Sequence, residues 1–119
     1  DIGVYNRLPQ QTTSYAMTDT LKPPPTLAML RAHRAEILAL AERYGAYNVR
    51  VFGSVARGDA HPASDVDLLV NFRAGTSLFE LSGLWQDLQD LLGYDVNIVS
   101  ENGLKARFHQ IIAQDIVPL

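Results

Sequence analysis

The sequence predicts an α+β domain in which helices pack on a small mixed β-sheet. Three longer segments repeat apolar residues at helical spacing, and three short segments are rich in β-branched residues. These segments follow the order helix, strand, strand, helix, strand, helix. The chain has 119 residues, of which 47% are hydrophobic and 19% charged, and this suits one folded domain with a modest core.

Residues 1–25 differ in composition from the rest of the chain. They are rich in Gln, Thr and Pro, show no sustained apolar period, and end in three consecutive prolines. We expect a flexible lead-in over residues 1–25 and a folded domain over 26–119. Met17 is a candidate native start, which would make residues 1–16 an addition. An arm that docks on a partner is the alternative for this segment.

The first half of the domain predicts a helix, a strand and a short second helix. The first helix covers residues 26–44, with Thr26 as its cap and Gly45 at its end. A half-buried strand covers residues 48–52. A short helix then runs to Arg57 and stops at Gly58, and residues 59–64 form a loop.

The second half predicts two strands, two helices and an edge segment. Strands cover residues 65–72 and 95–99, and a last helix covers residues 103–113. The clearest helix covers residues 78–92, and Trp85 belongs to its apolar stripe, which indicates a core position. The last helix shows one apolar face, and a short edge strand follows it; these positions are Leu104, Phe108, Ile111 and Ile112 for the face and Ile116 and Val117 for the strand.

Gly53 and Ser54 come directly after the first strand. A glycine at this point lets the backbone approach a ligand closely. A serine hydroxyl beside free backbone N–H groups suits a phosphate. An ordinary strand-to-helix turn with a serine cap is the alternative interpretation.

Asp65 and Asp67 stand at the start of the second strand. Alternation along a strand places both carboxylates on one face, where they repel each other. A hard divalent cation relieves this repulsion, and Mg²⁺ prefers one or two carboxylates together with phosphate oxygens. A solvated acidic strand edge is the alternative, although Asp is uncommon in strands.

The two elements combine into the pattern Gly-Ser-x10-Asp-x-Asp. The stretch Gly53-Ser-Val-Ala-Arg-Gly-Asp-Ala-His-Pro-Ala-Ser-Asp-Val-Asp-Leu-Leu-Val70 resembles the signature of minimal nucleotidyltransferases. These belong to the DNA polymerase beta-like nucleotidyltransferase superfamily. The similarity covers about residues 27–117 and implies the polymerase beta-like fold.

The resemblance implies a role for each residue of the signature. Gly53 and Ser54 would hold the triphosphate of ATP, and Asp65 and Asp67 would bind Mg²⁺ during in-line displacement at the α-phosphorus. Arg57 would lie near the phosphates or support the turn. An ion pair between Arg57 and the nearby aspartate of the loop accounts for it equally well.

One position departs from the family pattern. Superfamily members that catalyse transfer usually carry a third carboxylate on the third strand, and here Asn97 stands at that position. An amide offers a neutral oxygen to a metal but cannot accept a proton as a base. Asp95 lies two residues earlier on the same strand face, so it is an alternative metal ligand or a plain surface residue.

The resemblance also implies a partner. Minimal nucleotidyltransferases are often encoded beside HEPN-domain proteins as toxin–antitoxin pairs, in which the antitoxin transfers AMP to a tyrosine of the HEPN toxin. AMPylation of such a toxin is therefore one expectation. A weakened nucleotide-binding antitoxin that acts by complex formation is the alternative, favoured by Asn97. An enzyme that modifies a small molecule such as an aminoglycoside ranks below both.

Composition excludes several other classes of protein. The net charge of −3 and the absence of a Lys/Arg run give no field for a nucleic-acid substrate. The chain has no cysteine and no paired histidines at metal-ligand spacing, which excludes disulfides and argues against zinc. No apolar run is long enough for a membrane span, so the cytoplasm is the expected location. A homo-oligomer stays open.

Overall fold

A computed structural model describes residues 22–119, and its sheet and helices follow the predicted class. The helices are α1 (Leu27–Ala32), α2 (Arg34–Arg43), α3 (Gly53–Arg57), α4 (Leu78–Leu92) and α5 (Ala106–Ile112), with a 3-10 turn at Glu101–Gly103. The strands are β1 (Ala46–Phe52), β2 (Val66–Phe72), β3 (Val96–Ser100) and β4 (Val117–Pro118). The α+β prediction with a mixed sheet is confirmed.

The four strands form one sheet in the order β3-β2-β1-β4. β1 pairs antiparallel with both β2 and β4, whereas β2 and β3 run parallel. In this register Asp67 lies between Phe52 of β1 and Asn97 of β3. The predicted edge segment is therefore present as β4, and β3 forms the opposite edge.

Apolar side chains cover both faces of the sheet, to different extents. One face of β1 and β2 packs against α1, α2 and α4 in the main core, whose fully buried members include Leu30, Ile37, Val51, Leu68, Leu84 and Leu88. The other face holds a small cluster of Phe52, Leu69 and Ile112. Because this second cluster is small, the rest of that face stays open around Asp67.

The predicted first helix is interrupted at His33. Thr26 caps α1 as expected, since its hydroxyl accepts a hydrogen bond from the Met29 N–H at 3.0 Å. The His33 N–H bonds the Leu30 carbonyl, one residue short of the α-helical partner. The His33 ring nitrogen lies 3.1 Å from the Met29 carbonyl that the backbone would otherwise use. The prediction of one uninterrupted helix over residues 26–44 is therefore wrong.

The last helix is shorter and less buried than predicted. It begins at Ala106 rather than 103, and of its expected apolar face only Ile112 is buried. Ile111 is 68% exposed and Phe108 is 44% exposed. The predicted apolar face is therefore only partly packed on the domain, because these two side chains are exposed.

The residues directly before α1 contact the folded domain. Pro25 is fully buried, and the Tyr94 hydroxyl donates to the Pro23 carbonyl at 2.6 Å. Residues 22–25 thus pack on the domain. The expectations for residues 1–21, including a flexible segment and a start at Met17, lie outside the described residues. None of the described helices is long and apolar enough to cross a membrane.

Candidate nucleotide and metal site

The site lies where β1 ends and β2 begins, on the open face of the sheet. Gly53 has φ +75°, a left-handed conformation that favours glycine. It also lies against Asp67, because a Cβ built on Gly53 would overlap the Asp67 Oδ2 atom. The backbone turn and the second carboxylate of the motif are therefore packed together.

The carboxylates of Asp65 and Asp67 converge on one point, where both contact the side-chain amide of Asn97. The Asn97 Nδ2 atom donates to Asp65 Oδ2 at 3.1 Å and to Asp67 Oδ1 at 3.0 Å. Both carboxylates therefore lie within hydrogen-bond distance of a single donor. The sequence predicted that the two carboxylates share a face, and the geometry brings them together with Asn97.

The electrostatics of the pair favour a cation. Burial raises the pKa of Asp67, repulsion from Asp65 adds to the rise, and the Asn97 hydrogen bond and the charge of Arg57 oppose it. A divalent ion held by both carboxylates would relieve the burial cost and the repulsion at once. Rotation of the Asn97 amide would turn its oxygen, in place of its N–H, toward such an ion.

The donor set for a metal comprises two carboxylates. Among residues 22–119, no three His, Asp or Glu side chains converge to hold a metal ion. Asp95 therefore does not form such a group with Asp65 and Asp67, and it borders a separate cavity together with Tyr94. The pair fits Mg²⁺ that takes its remaining oxygens from phosphates and water, which is the coordination this ion prefers.

Arg57 lies at the end of α3 and carries two ion pairs. Its Nε atom is 3.2 Å from Asp59 Oδ2, and its Nη1 atom is 2.8 Å from Asp115 Oδ2. The ion pair with the loop aspartate is thus present, whereas Asp115 was not predicted as a partner of Arg57. Because the guanidinium is about half exposed and already paired, it would have to exchange a carboxylate to reach a phosphate.

A cavity of about 590 Å³ opens beside Asp67 and Asn97. Its apolar walls come from three elements, with Leu81 and Trp85 of α4, Val96 and Ile98 of β3, and Phe108 of α5. Trp85 is 43% exposed, and its indole N–H donates to the Val96 carbonyl at 2.7 Å. The core position predicted for Trp85 is therefore wrong, because this residue lies at the margin of the α4 stripe and faces the cavity.

Comparison with known proteins identifies the family. Residues 36–119 match the family model of the nucleotidyltransferase domain. The protein adenylyltransferase MntA of Thermococcus cleftensis is 38% identical over 90 residues, which span 76% of this chain and 88% of that relative.

Solved structures share the fold. One described as a "putative minimal nucleotidyltransferase" superposes with a TM-score of 0.71 at 48% identity, over 79% of this chain and 96% of the other. A toxin–antitoxin crystal structure with AMP-PNP gives a TM-score of 0.61 at 22% identity, over 71% of this chain and 69% of the other. On this evidence the chain belongs to the nucleotidyltransferase domain family, as a member of its minimal type.

Proposed function

We propose that this nucleotidyltransferase transfers AMP from ATP, with Mg²⁺, to a tyrosine hydroxyl of a cognate HEPN-domain toxin, and so acts as its antitoxin. The observation that carries the proposal is the convergence of Asp65 and Asp67 on one point beside Gly53. A triphosphate seated against Gly53 and Ser54 lies next to these carboxylates.

Each residue of the site has a defined task in this reaction. Gly53 lets the triphosphate approach the backbone, and the Ser54 hydroxyl offers it a hydrogen bond. Asp65 and Asp67 would hold Mg²⁺, which would neutralise phosphate charge during displacement. The acceptor oxygen forms a bond to the α-phosphorus, the bond between the α-phosphorus and the bridging oxygen breaks, and pyrophosphate leaves. The hydroxyl proton passes to solvent.

The residue at position 97 supports a phenolic acceptor. The Asn97 amide cannot remove a proton from the acceptor, so the acceptor must lose its proton with little help. A tyrosine hydroxyl has a pKa near 10 and ionises more readily than an alcohol of serine, threonine or a sugar. The name of the Thermococcus relative, a protein adenylyltransferase, supports a protein acceptor.

The experiment is transfer of label from α-labelled ATP to the cognate HEPN-domain protein in the presence of Mg²⁺. Asp65→Asn and Asp67→Asn should each abolish labelling, because each removes a charge from the metal pair. Asp90→Asn is the matched control, since Asp90 is an exposed carboxylate on α4 away from the site. Asp95→Asn should also retain labelling, and its loss would make Asp95 a further metal ligand.

A second function is favoured by one contact. The Asn97 amide satisfies both carboxylates without a metal, as expected of a site that has lost catalysis and neutralises a toxin by complex formation. In that case the HEPN-domain protein binds tightly but stays unlabelled, and Asp67→Asn leaves neutralisation unchanged.

A further inference from the structure

β3 is the outermost strand of the sheet on the side of the candidate site. Its backbone groups alternate between the sheet and the outside. The Asp95 carbonyl accepts from the Val66 N–H and so faces β2. The next residue faces outward, because the Val96 N–H bonds the side chain of Gln89 and its carbonyl bonds that of Trp85. Two side chains of α4 therefore cover the first outward-facing residue of this edge.

The same alternation leaves the next outward-facing residues uncovered by α4. Ile98 directs its N–H and C=O groups outward, as Val96 does. Ser100 directs its N–H outward, whereas its carbonyl begins the hydrogen bonding of the 3-10 turn Glu101–Gly103. Among the described residues, no side chain forms a hydrogen bond to the backbone of Ile98 or Ser100. An uncovered strand edge of this kind is a template for another extended chain.

Apolar walls run beside this open edge. The 590 Å³ cavity borders Ile98, and a second cavity of about 400 Å³ borders Ser100. Leu81 lines both cavities, so they adjoin each other along β3, and together we call them the groove. Leu78, which is 78% exposed, lies at the far end, and Asp67 and Asn97 lie at the near end.

We propose that the β3 edge docks an extended segment of the acceptor protein, which adds to the sheet as a fifth strand beside Ile98 and Ser100. This proposal rests on the proposed function. Free backbone donors and acceptors match a polypeptide strand, and the apolar walls accept every second side chain of it. The segment enters the groove at Leu78 and ends beside Asp67, so the docked strand carries an acceptor hydroxyl to the metal pair.

The distances along the edge define the docked segment. From Ser100 to Asn97 the strand advances three residues, or about 10 Å. An acceptor segment of about four extended residues therefore spans the edge from Ser100 to Asn97. The segment needs apolar side chains that point to Leu81 and Trp85, and it has to be free of proline where it bonds Ile98.

The test uses Ile98→Pro, with Ile98→Ala as its matched control. Proline removes the outward N–H of Ile98 without removing a bond to β2, whereas alanine keeps that N–H and trims the side chain. We expect Ile98→Pro to bind the cognate HEPN-domain protein at least about tenfold more weakly than wild type, from the lost hydrogen bonds and the blocked edge. Ile98→Ala, which trims one apolar wall and keeps the N–H, should bind more tightly than Ile98→Pro. Binding of Mg²⁺ and a non-hydrolysable ATP analogue should remain unchanged in both.

A second variant and a second readout test the proposal independently of any folding defect in the proline variant. Leu78→Lys alters a mostly exposed side chain at the groove entrance and should weaken partner binding in the same direction. Hydrogen exchange on the wild-type complex should slow at the Ile98 and Ser100 amides. Unchanged exchange at these amides in a complex that transfers label would overturn the docking proposal and leave the proposed function standing.

Two further outcomes would each overturn one of the two proposals. Slowed exchange at Ile98 that grows with the concentration of this chain alone would assign the edge to a second copy and overturn the proposal. A wild-type chain that binds the ATP analogue but labels no HEPN-domain protein would overturn the proposed function instead.

Discussion

Alanine at Gly53 should cost both stability and activity, and alanine at Gly58 should cost stability alone. Both glycines adopt left-handed φ angles, +75° and +82°. A side chain in this conformation costs about 1–2 kcal/mol. The surroundings differ, because a Cβ at Gly58 meets nothing within 4 Å, whereas one at Gly53 overlaps the Asp67 carboxylate. Gly58→Ala therefore isolates the backbone cost.

In Gly53→Ala the Asp67 side chain has to leave its rotamer, at a further cost of about 0.5–1.5 kcal/mol. The expected loss of unfolding free energy is about 1.5–3.5 kcal/mol, against about 1–2 kcal/mol for Gly58→Ala. A carboxylate displaced by about 1 Å should lower AMP transfer on the order of 100-fold. Urea unfolding and α-label transfer measure the two effects. Equal transfer by the two variants would refute the packing of Gly53 against the metal ligand.

Three further predictions concern Asn97, Glu101 and Trp85. Asn97→Asp should lower the unfolding free energy of the metal-free protein by about 1–2 kcal/mol, because it replaces two hydrogen bonds with a third negative charge. Mg²⁺ should then raise the Tm of the variant more than the Tm of the wild type. Equal Tm values of variant and wild type without metal would contradict this. The Arg50 guanidinium holds the pKa of Glu101 at about 2, below its usual 4.5, so the stability from this pair is complete above about pH 4.5 and is lost as the pH falls toward 2. The unfolding free energy of Glu101→Gln, measured at stepped pH, should therefore fall less steeply in acid than that of the wild type. Identical pH dependence of the two proteins would count against the pair. Trp85→Phe should lower the free energy of urea unfolding by about 0.5–1.5 kcal/mol, because the Val96 carbonyl loses its donor. Binding of the ATP analogue should stay unchanged, and a loss of that binding would place the indole on the nucleotide.

Local signals predicted much of the fold correctly. The helix over residues 78–92 was predicted at its actual bounds from its apolar period. The structure shows the capping box at Ser77 and Glu80 that begins it and Gly93 in the left-handed conformation that ends it. Gly58 ends α3 in the same way. The break at His33 was not predictable, since the competing bond to the Met29 carbonyl leaves the apolar period unchanged.

The candidate site was predictable only in part, because some of its contacts depend on how strands and helices pack against each other. Alternation placed Asp65 and Asp67 on one face from the sequence alone. The bridging contact of Asn97 depends on the parallel register of β2 and β3, which brings residues 30 positions apart side by side. The exposure of Trp85 depends on how α4 lies over the edge of the sheet, and helical periodicity does not encode that placement.

The most direct test of the central claim compares α-labelled and γ-labelled ATP in parallel with the cognate HEPN-domain protein and Mg²⁺. AMP transfer predicts that the α-label alone appears on the acceptor tyrosine, and that Asp67→Asn removes it. Label from the γ-position, or α-label that persists in Asp67→Asn, would contradict a nucleotidyltransferase that works through the Asp65–Asp67 pair.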